Sequence, residues 1–185
     1  MFTDFIMSYV KEQAVEQISK KIGIDPSLLT GQWGEDAIGS LVTGLFRNSQ
    51  KEDTLQDLDN AVSKDHDWSI FDDIGALLTK DEEWGKIVEH ILGNNKQVVA
   101  AFLSKKLGIS AEQATVLLSF VAPLVMGALG KKKQETGVSS NWLKDLLAQE
   151  EQEIAKKSDT PTSILQILDK DGDGDVDLAD FLAAK

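Results

Sequence analysis

The chain has 185 residues, 42% of them apolar, a formal net charge of −12, no cysteine and two histidines. That supplies enough apolar side chain for one packed domain with a small appendage, and the missing cysteines exclude disulfides, thiolate metal centres and cysteine nucleophiles. The acidic balance argues against nucleic acid as the main partner, because phosphates need a basic face, and it disfavours an anionic membrane surface.

From the N-terminus, Met1 to Val10 holds an early acid, no basic leader and no long apolar run. No signal peptide is expected. The default location is the cytoplasm, with export by a signal-less route as the alternative. Phe2, Phe5, Ile6, Tyr9, Val10, Ala14, Ile18 and Ile22 share one stripe at helical spacing, which predicts a first helix stopped by Gly23. Asp25-Pro26 reads as an N-cap and first helical residue. A second apolar segment covers about 37–46, and Thr54 is a candidate cap for a short helix through Val62. Two further helices are predicted over 68–78 and 82–92, the second closed by Gly93-Asn94-Asn95. Lys96 to Leu107 is an amphipathic helix ending at Gly108.

Ser110-Ala111-Glu112-Gln113 has the spacing of a capping box. It opens a long helix to about Lys133, with a kink expected at Pro123. The most apolar run, 115–129, is shorter than the roughly 20 residues a membrane-spanning helix needs, so no span is expected. Ser140 or Asn141 caps a last body helix, Trp142 to about Lys157. No stretch alternates as a strand does, and the fold class is therefore all-α.

An internal repeat is visible. Ile18-Ser19-Lys20-Lys21-Ile22-Gly23-Ile24-Asp25 matches Leu103-Ser104-Lys105-Lys106-Leu107-Gly108-Ile109-Ser110, and Leu41-Val42-Thr43-Gly44 matches Leu124-Val125-Met126-Gly127. The reading is a duplicated helical bundle, residues 1–157, with related units at about 1–50 and 96–135. Two copies are a duplication rather than a solenoid.

Residues 158–185 form a separate module. Asp169-Lys170-Asp171-Gly172-Asp173-Gly174-Asp175-Val176-Asp177-Leu178-Ala179-Asp180 carries acids at loop positions 1, 3, 5, 9 and 12 and glycine at 6, the EF-hand register. Calcium is a hard cation that takes six to eight oxygens. Asp169, Asp171 and Asp173 present carboxylates on one side of a tight turn, and Gly174 provides the bend. Asp175 offers its backbone carbonyl, Asp177 reaches the ion directly or through water, and Asp180 closes the site. Six aspartates so close repel one another without a cation. The expected ion is Ca²⁺, with Mg²⁺ tolerated, because aspartate at position 12 has a shorter stem than glutamate. That variant resembles the calcium loops of dockerin modules. Dockerins carry two such loops and this chain has one, a departure that weakens inference to a cohesin partner. Affinity on the order of 10⁻⁴ to 10⁻³ M is typical of extracellular modules.

Other clusters have plainer readings. Asp65-His66-Asp67 reads as a polar turn and His90 as a boundary residue of its helix. Asp72, Asp73, Asp81, Glu82 and Glu83 read as a solvated face rather than an acid–base pair. Lys20-Lys21, Lys105-Lys106 and Lys131-Lys132-Lys133 suit helix C-terminal ends. Of Trp33, Trp68, Trp84 and Trp142, most are expected in the core.

Leu45-Phe46-Arg47-Asn48, Asp65-His66-Asp67-Trp68-Ser69-Ile70, His90-Ile91-Leu92-Gly93, Lys105 to Ser110 and Ala122-Pro123-Leu124-Val125-Met126-Gly127-Ala128-Leu129-Gly130 together resemble the YidB-like bacterial family, a domain of unknown function. The resemblance covers about residues 1–150. It implies an all-helical fold and a bacterial source, and it supplies no activity. A charged segment from Thr54 to Trp84 stands where the family commonly has a glycine-rich stretch.

These readings combine into a non-enzymatic, calcium-binding structural or assembly protein. It would self-associate through its body, with close helix approach at Gly39, Gly44, Gly127, Ala128 and Gly130. The alternative is a calcium-dependent module that binds a distinct protein partner.

Overall fold

The computed structural model describes residues 2–10, 12–30, 32–64, 68–71, 78–136 and 140–157, and every regular element among them is helical. The α-helices are α1 (Phe2–Tyr9), α2 (Glu12–Ile22), α3 (Ser27–Thr30), α4 (Gln32–Ser49), α5 (Glu52–Lys64), α6 (Asp81–Leu92), α7 (Lys96–Leu107), α8 (Ala111–Thr136) and α9 (Ser140–Lys157). Short 3₁₀ turns lie at Trp68–Phe71 and Gly93–Asn95.

The axis of the body is α8. It packs against α1, α2, α4, α5, α6, α7 and the Trp68–Phe71 turn. Every residue from Leu117 to Gly130 is buried, as expected of a helix that is apolar on all sides. At 26 residues it exceeds the apolar run legible in the sequence, and by length and composition it could cross a membrane. In this fold 83% of its most apolar window is covered by neighbouring helices. The helix runs on through Pro123, whose ring removes the N–H that would bond the carbonyl of Ser119. On the far side of α4, α9 packs along α4 and α5 and buries Leu143 and Leu147 completely.

The two matched sequence blocks close their helices in the same way. In α2 the N–H groups of Gly23 and Ile24 both donate to the carbonyl of Ser19, at 2.8 and 3.0 Å. In α7 the N–H groups of Gly108 and Ile109 both donate to the carbonyl of Ser104, the second at 3.2 Å. Both glycines have positive φ, 76° and 66°, the left-handed closure that glycine adopts without a Cβ clash. The chain then diverges. After Gly23, the Asp25 carboxylate accepts both the hydroxyl and the amide of Ser27. Those two bonds hold its carboxyl below the ordinary carboxylate value, and a single helical turn, α3, follows. After Gly108, Ser110 starts 26 unbroken helical residues.

Several element boundaries differ from the sequence reading. The first apolar stripe is two helices, because α1 ends at Tyr9 and the Val10 N–H turns back to Met7 O at 3.3 Å. Both pieces pack on α8, so the stripe records a shared buried side and not a continuous helix. Helices α4 and α5 begin at Gln32 and Glu52, before the apolar period sets in. Of the helix expected over 68–78, the 3₁₀ turn Trp68–Phe71 is present, and 72–77 lie outside the described residues.

Candidate functional site

The loop residues Asp169, Asp171, Asp173, Asp175, Asp177 and Asp180 lie outside the described residues, as do Asp65, His66, Asp67, Asp72 and Asp73. Among the described residues no group of three or more histidines and carboxylates is placed to hold a metal ion. The body offers instead two tertiary junctions and one recess.

The first junction joins the matched blocks. Ser110 and Gln113 form the capping box read from the sequence. The Gln113 amide N–H donates to Ser110 Oγ at 3.1 Å, and the Ser110 amide N–H donates to Gln113 Oε1 at 2.8 Å. The other end of the same side chain does more. Gln113 Nε2 donates to the carbonyls of Ile22 and Gly23, both at 3.1 Å. One glutamine therefore caps the start of α8 and satisfies the open carbonyl end of α2. Glu112, in the first turn of α8, has its carboxyl held below the ordinary value by its own backbone N–H and then by the Ser110 hydroxyl.

The second junction brings α4 and α6 together at Gly44. A Cβ there would lie 2.9 Å from Leu92 Cδ2 and 3.0 Å from both Ile91 Cγ2 and Ile91 O. One turn later Asn48 Nδ2 donates to the carbonyls of His90 and Ile91, each at 3.2 Å. These carbonyls end α6, and the Gly93 N–H turns back to Glu89 O. Gly39, Gly44, Gly127, Ala128 and Gly130 are all buried. Gly39 faces Ile154 of α9. At Gly44 the close approach is made inside one chain.

Beside the second junction, α4, α5 and α6 leave an open recess of about 260 Å³. Its walls are Leu45, Leu58, Ala61, Ile87 and Ile91, and Met126 of α8 forms the floor. Asn48, Thr54, Asp57, Lys86 and His90 stand at the rim. Leu45, Ile91 and Met126 are buried, whereas Asp57, Lys86 and His90 are exposed. His90 is thus a rim residue, and two sequence blocks, Leu45 to Asn48 and His90 to Gly93, meet here.

Lys21, Lys106, Lys131, Lys132 and Lys133 of the lysine clusters serve packing, a role that goes beyond matching the helix dipole. Lys21 Nζ donates to Leu78 O and lies 5.6 Å from the Phe120 ring. Lys106 pairs with Asp36 at 2.6 Å, and Lys133 with Asp59 at 2.6 Å. Lys131 and Lys132 each stand 4.6 Å from the ring centres of Tyr9 and Phe5. This is cation–π geometry, and it pins α1 to the end of α8. Sequence reasoning missed these roles because the partners are remote in the chain. Trp84 is buried and Trp142 half-buried; the side chains of Trp33 and Trp68 lie outside what is described. Among the enclosed polar groups, Glu150 is 5% exposed, and its Oε1 accepts the Phe2 amide N–H at 2.6 Å. That bond ties α9 to α1.

Residues 4–132 match the family described as "Bacterial protein of unknown function (DUF937)", and the chain belongs to that family. The matched span takes in both junctions and the recess and stops before α9. No curated protein and no solved structure matches the chain.

Proposed function

We propose that this family member is a non-enzymatic structural or assembly protein that self-associates through its helical body and whose C-terminal segment, residues 158–185, binds a calcium ion through Asp169, Asp171, Asp173, Asp175, Asp177 and Asp180. One observation carries the reading: aspartates at loop positions 1, 3, 5, 9 and 12 and a glycine at 6 stand in the EF-hand register, with the Asp175 carbonyl at position 7. A merely acidic turn has no reason to place these in step. The body supports a structural role. Its lysine clusters, its capping glutamine and its small residues are engaged in holding helices together.

Titration calorimetry of the full chain with calcium tests the ion site. One-site binding is expected, and it is lost in the double variant Asp171→Ala/Asp173→Ala. No calcium heat at millimolar ion would end the reading. Light scattering in calcium and in chelator tests self-association, and a strict monomer in both conditions refutes that half.

A second reading has its own support. Gly39 faces Ile154 and Gly44 faces Ile91 and Leu92 of the same chain, so the approach at these two glycines is taken up within the fold. This favours a calcium-dependent module that binds a distinct protein. Recovery of one stoichiometric partner in calcium and not in chelator would select it.

A further inference from the structure

We propose that the recess between α4, α5 and α6 is a binding site for a small amphipathic carboxylate, a hydrocarbon chain with an anionic head, independent of the calcium segment. Protein interiors retain few voids larger than a water molecule. Here an apolar recess of about 260 Å³ stays open beside a tightly closed junction. Gly44 and Asn48 hold α4 and α6 together at one edge, and the space widens between that edge and α5. Its interior offers only apolar side chains, down to Met126, and polar groups are confined to the rim. That division suits a ligand with one apolar and one polar end.

The rim chooses the head group. Lys86 and His90 are one helical turn apart on α6, on the same face, and both are exposed. Among the described residues no hydrogen bond or ion pair engages either side chain. Lys21, Lys106, Lys131, Lys132 and Lys133, by contrast, have partners within the fold. A carboxylate above the recess would accept from Lys86 and from His90, and its chain would descend onto Ile87, Ile91 and Met126. Thr54 can donate its hydroxyl from the first turn of α5. Among the described residues Asp57 is the one carboxylate that lines the rim. It repels the head toward α6 and stands against a ligand with two negative charges.

The test uses the full chain and three eight-carbon probes: octanoate, octan-1-ol and octylamine. Calorimetry should show one octanoate per chain, and amide shifts should cluster on α4, α5 and α6. The alcohol and the amine should bind at least about tenfold more weakly, the scale of one charge-assisted hydrogen bond. Lys86→Met should weaken octanoate by about the same factor. Ala61→Leu and Met126→Trp fill the recess by different amounts, and the variant that keeps the native circular dichroism should lose binding. The proposal is overturned if octanoate does not bind, if octylamine binds as well, if Lys86→Met has no effect, or if the shifts fall elsewhere.

Discussion

Replacing Gly44 by alanine places a methyl group where α4 and α6 already touch. In an exposed helix interior this change is stabilising, because alanine exceeds glycine in helix propensity by about 0.8–1.0 kcal/mol. At Gly44 the added Cβ would stand 3.0 Å from Ile91 O and 2.9 Å from Leu92 Cδ2. The leucine methyl can turn away. The backbone carbonyl cannot yield without moving α6. Overpacking of this kind costs about 1–3 kcal/mol. Any displacement of α6 also stretches the two bonds from Asn48, each contributing about 0.5–1.5 kcal/mol. The net expectation is a loss of about 1–3 kcal/mol, which at about 2–4 °C per kcal/mol for a chain of this size lowers Tm by about 2–12 °C. Gly39→Ala is the matched control. Its Cβ would meet Ile154 at 3.7 and 3.8 Å, ordinary contact, so propensity dominates and Tm should rise by about 2–4 °C. Thermal melts followed by circular dichroism, with urea denaturation as a second measure, read both variants. If Gly44→Ala raises Tm as Gly39→Ala does, α4 and α6 are not in close contact at this point.

Gln113→Ala removes the capping box and the cover over the Ile22 and Gly23 carbonyls together. It should cost about 1–2 kcal/mol and speed amide exchange at both the start of α8 and the end of α2. A variant that affects α8 alone would show that the glutamine does not link the two. Glu150→Ala should cost about 1–3 kcal/mol by leaving the Phe2 N–H without its acceptor, with faster exchange confined to α1; unchanged exchange over 2–9 would refute the tie. Calcium at about a hundredfold excess over its dissociation constant should add about 2.7 kcal/mol to whichever unit binds it. Superimposable melts in calcium and chelator would show that no such unit exists.

The features legible in the sequence are those governed by neighbours in the chain. The Lys96–Leu107 helix with Gly108 beyond it, the Ser110–Gln113 box and the closure at Gly23 each depend on a few consecutive residues, and each is found where the local pattern places it. The division between α1 and α2 was hidden because periodicity reports which side is buried and is silent about a break between two helices that bury the same side. Gln113 shows the limit most plainly. Its capping role needs only Ser110, three residues away, whereas its bonds to Ile22 and Gly23 span 91 and 90 positions. The recess is legible only in part. The blocks around Asn48 and His90 stand out by family resemblance, but the space between them exists only once α5 has packed alongside. The aspartate loop presents the opposite case, since its whole argument is local and is complete in the sequence.

How far calcium can influence the body depends on α9. This helix precedes the proposed calcium segment in the chain and lies beyond the residues that match the family. It is nevertheless part of the core: Leu143 and Leu147 are fully buried, Glu150 holds α1, and Ile154 lies against Gly39. The buried Leu143, Leu147 and Glu150, with half-buried Ile154 a turn further on, make α9 unfold with the body rather than with the appendage. A ligand stabilises only what unfolds when it leaves. Calcium should therefore leave the main transition in place if residues 158–185 form an independent unit, and raise it if they close onto α9 or its neighbours. Calorimetric scans in calcium and in chelator separate these cases, because two independent units give two transitions and a coupled pair gives one. A raised single transition in the wild type that persists in Glu150→Ala would place the contact away from α1, and its loss in that variant would place the contact along the α9–α1 tie.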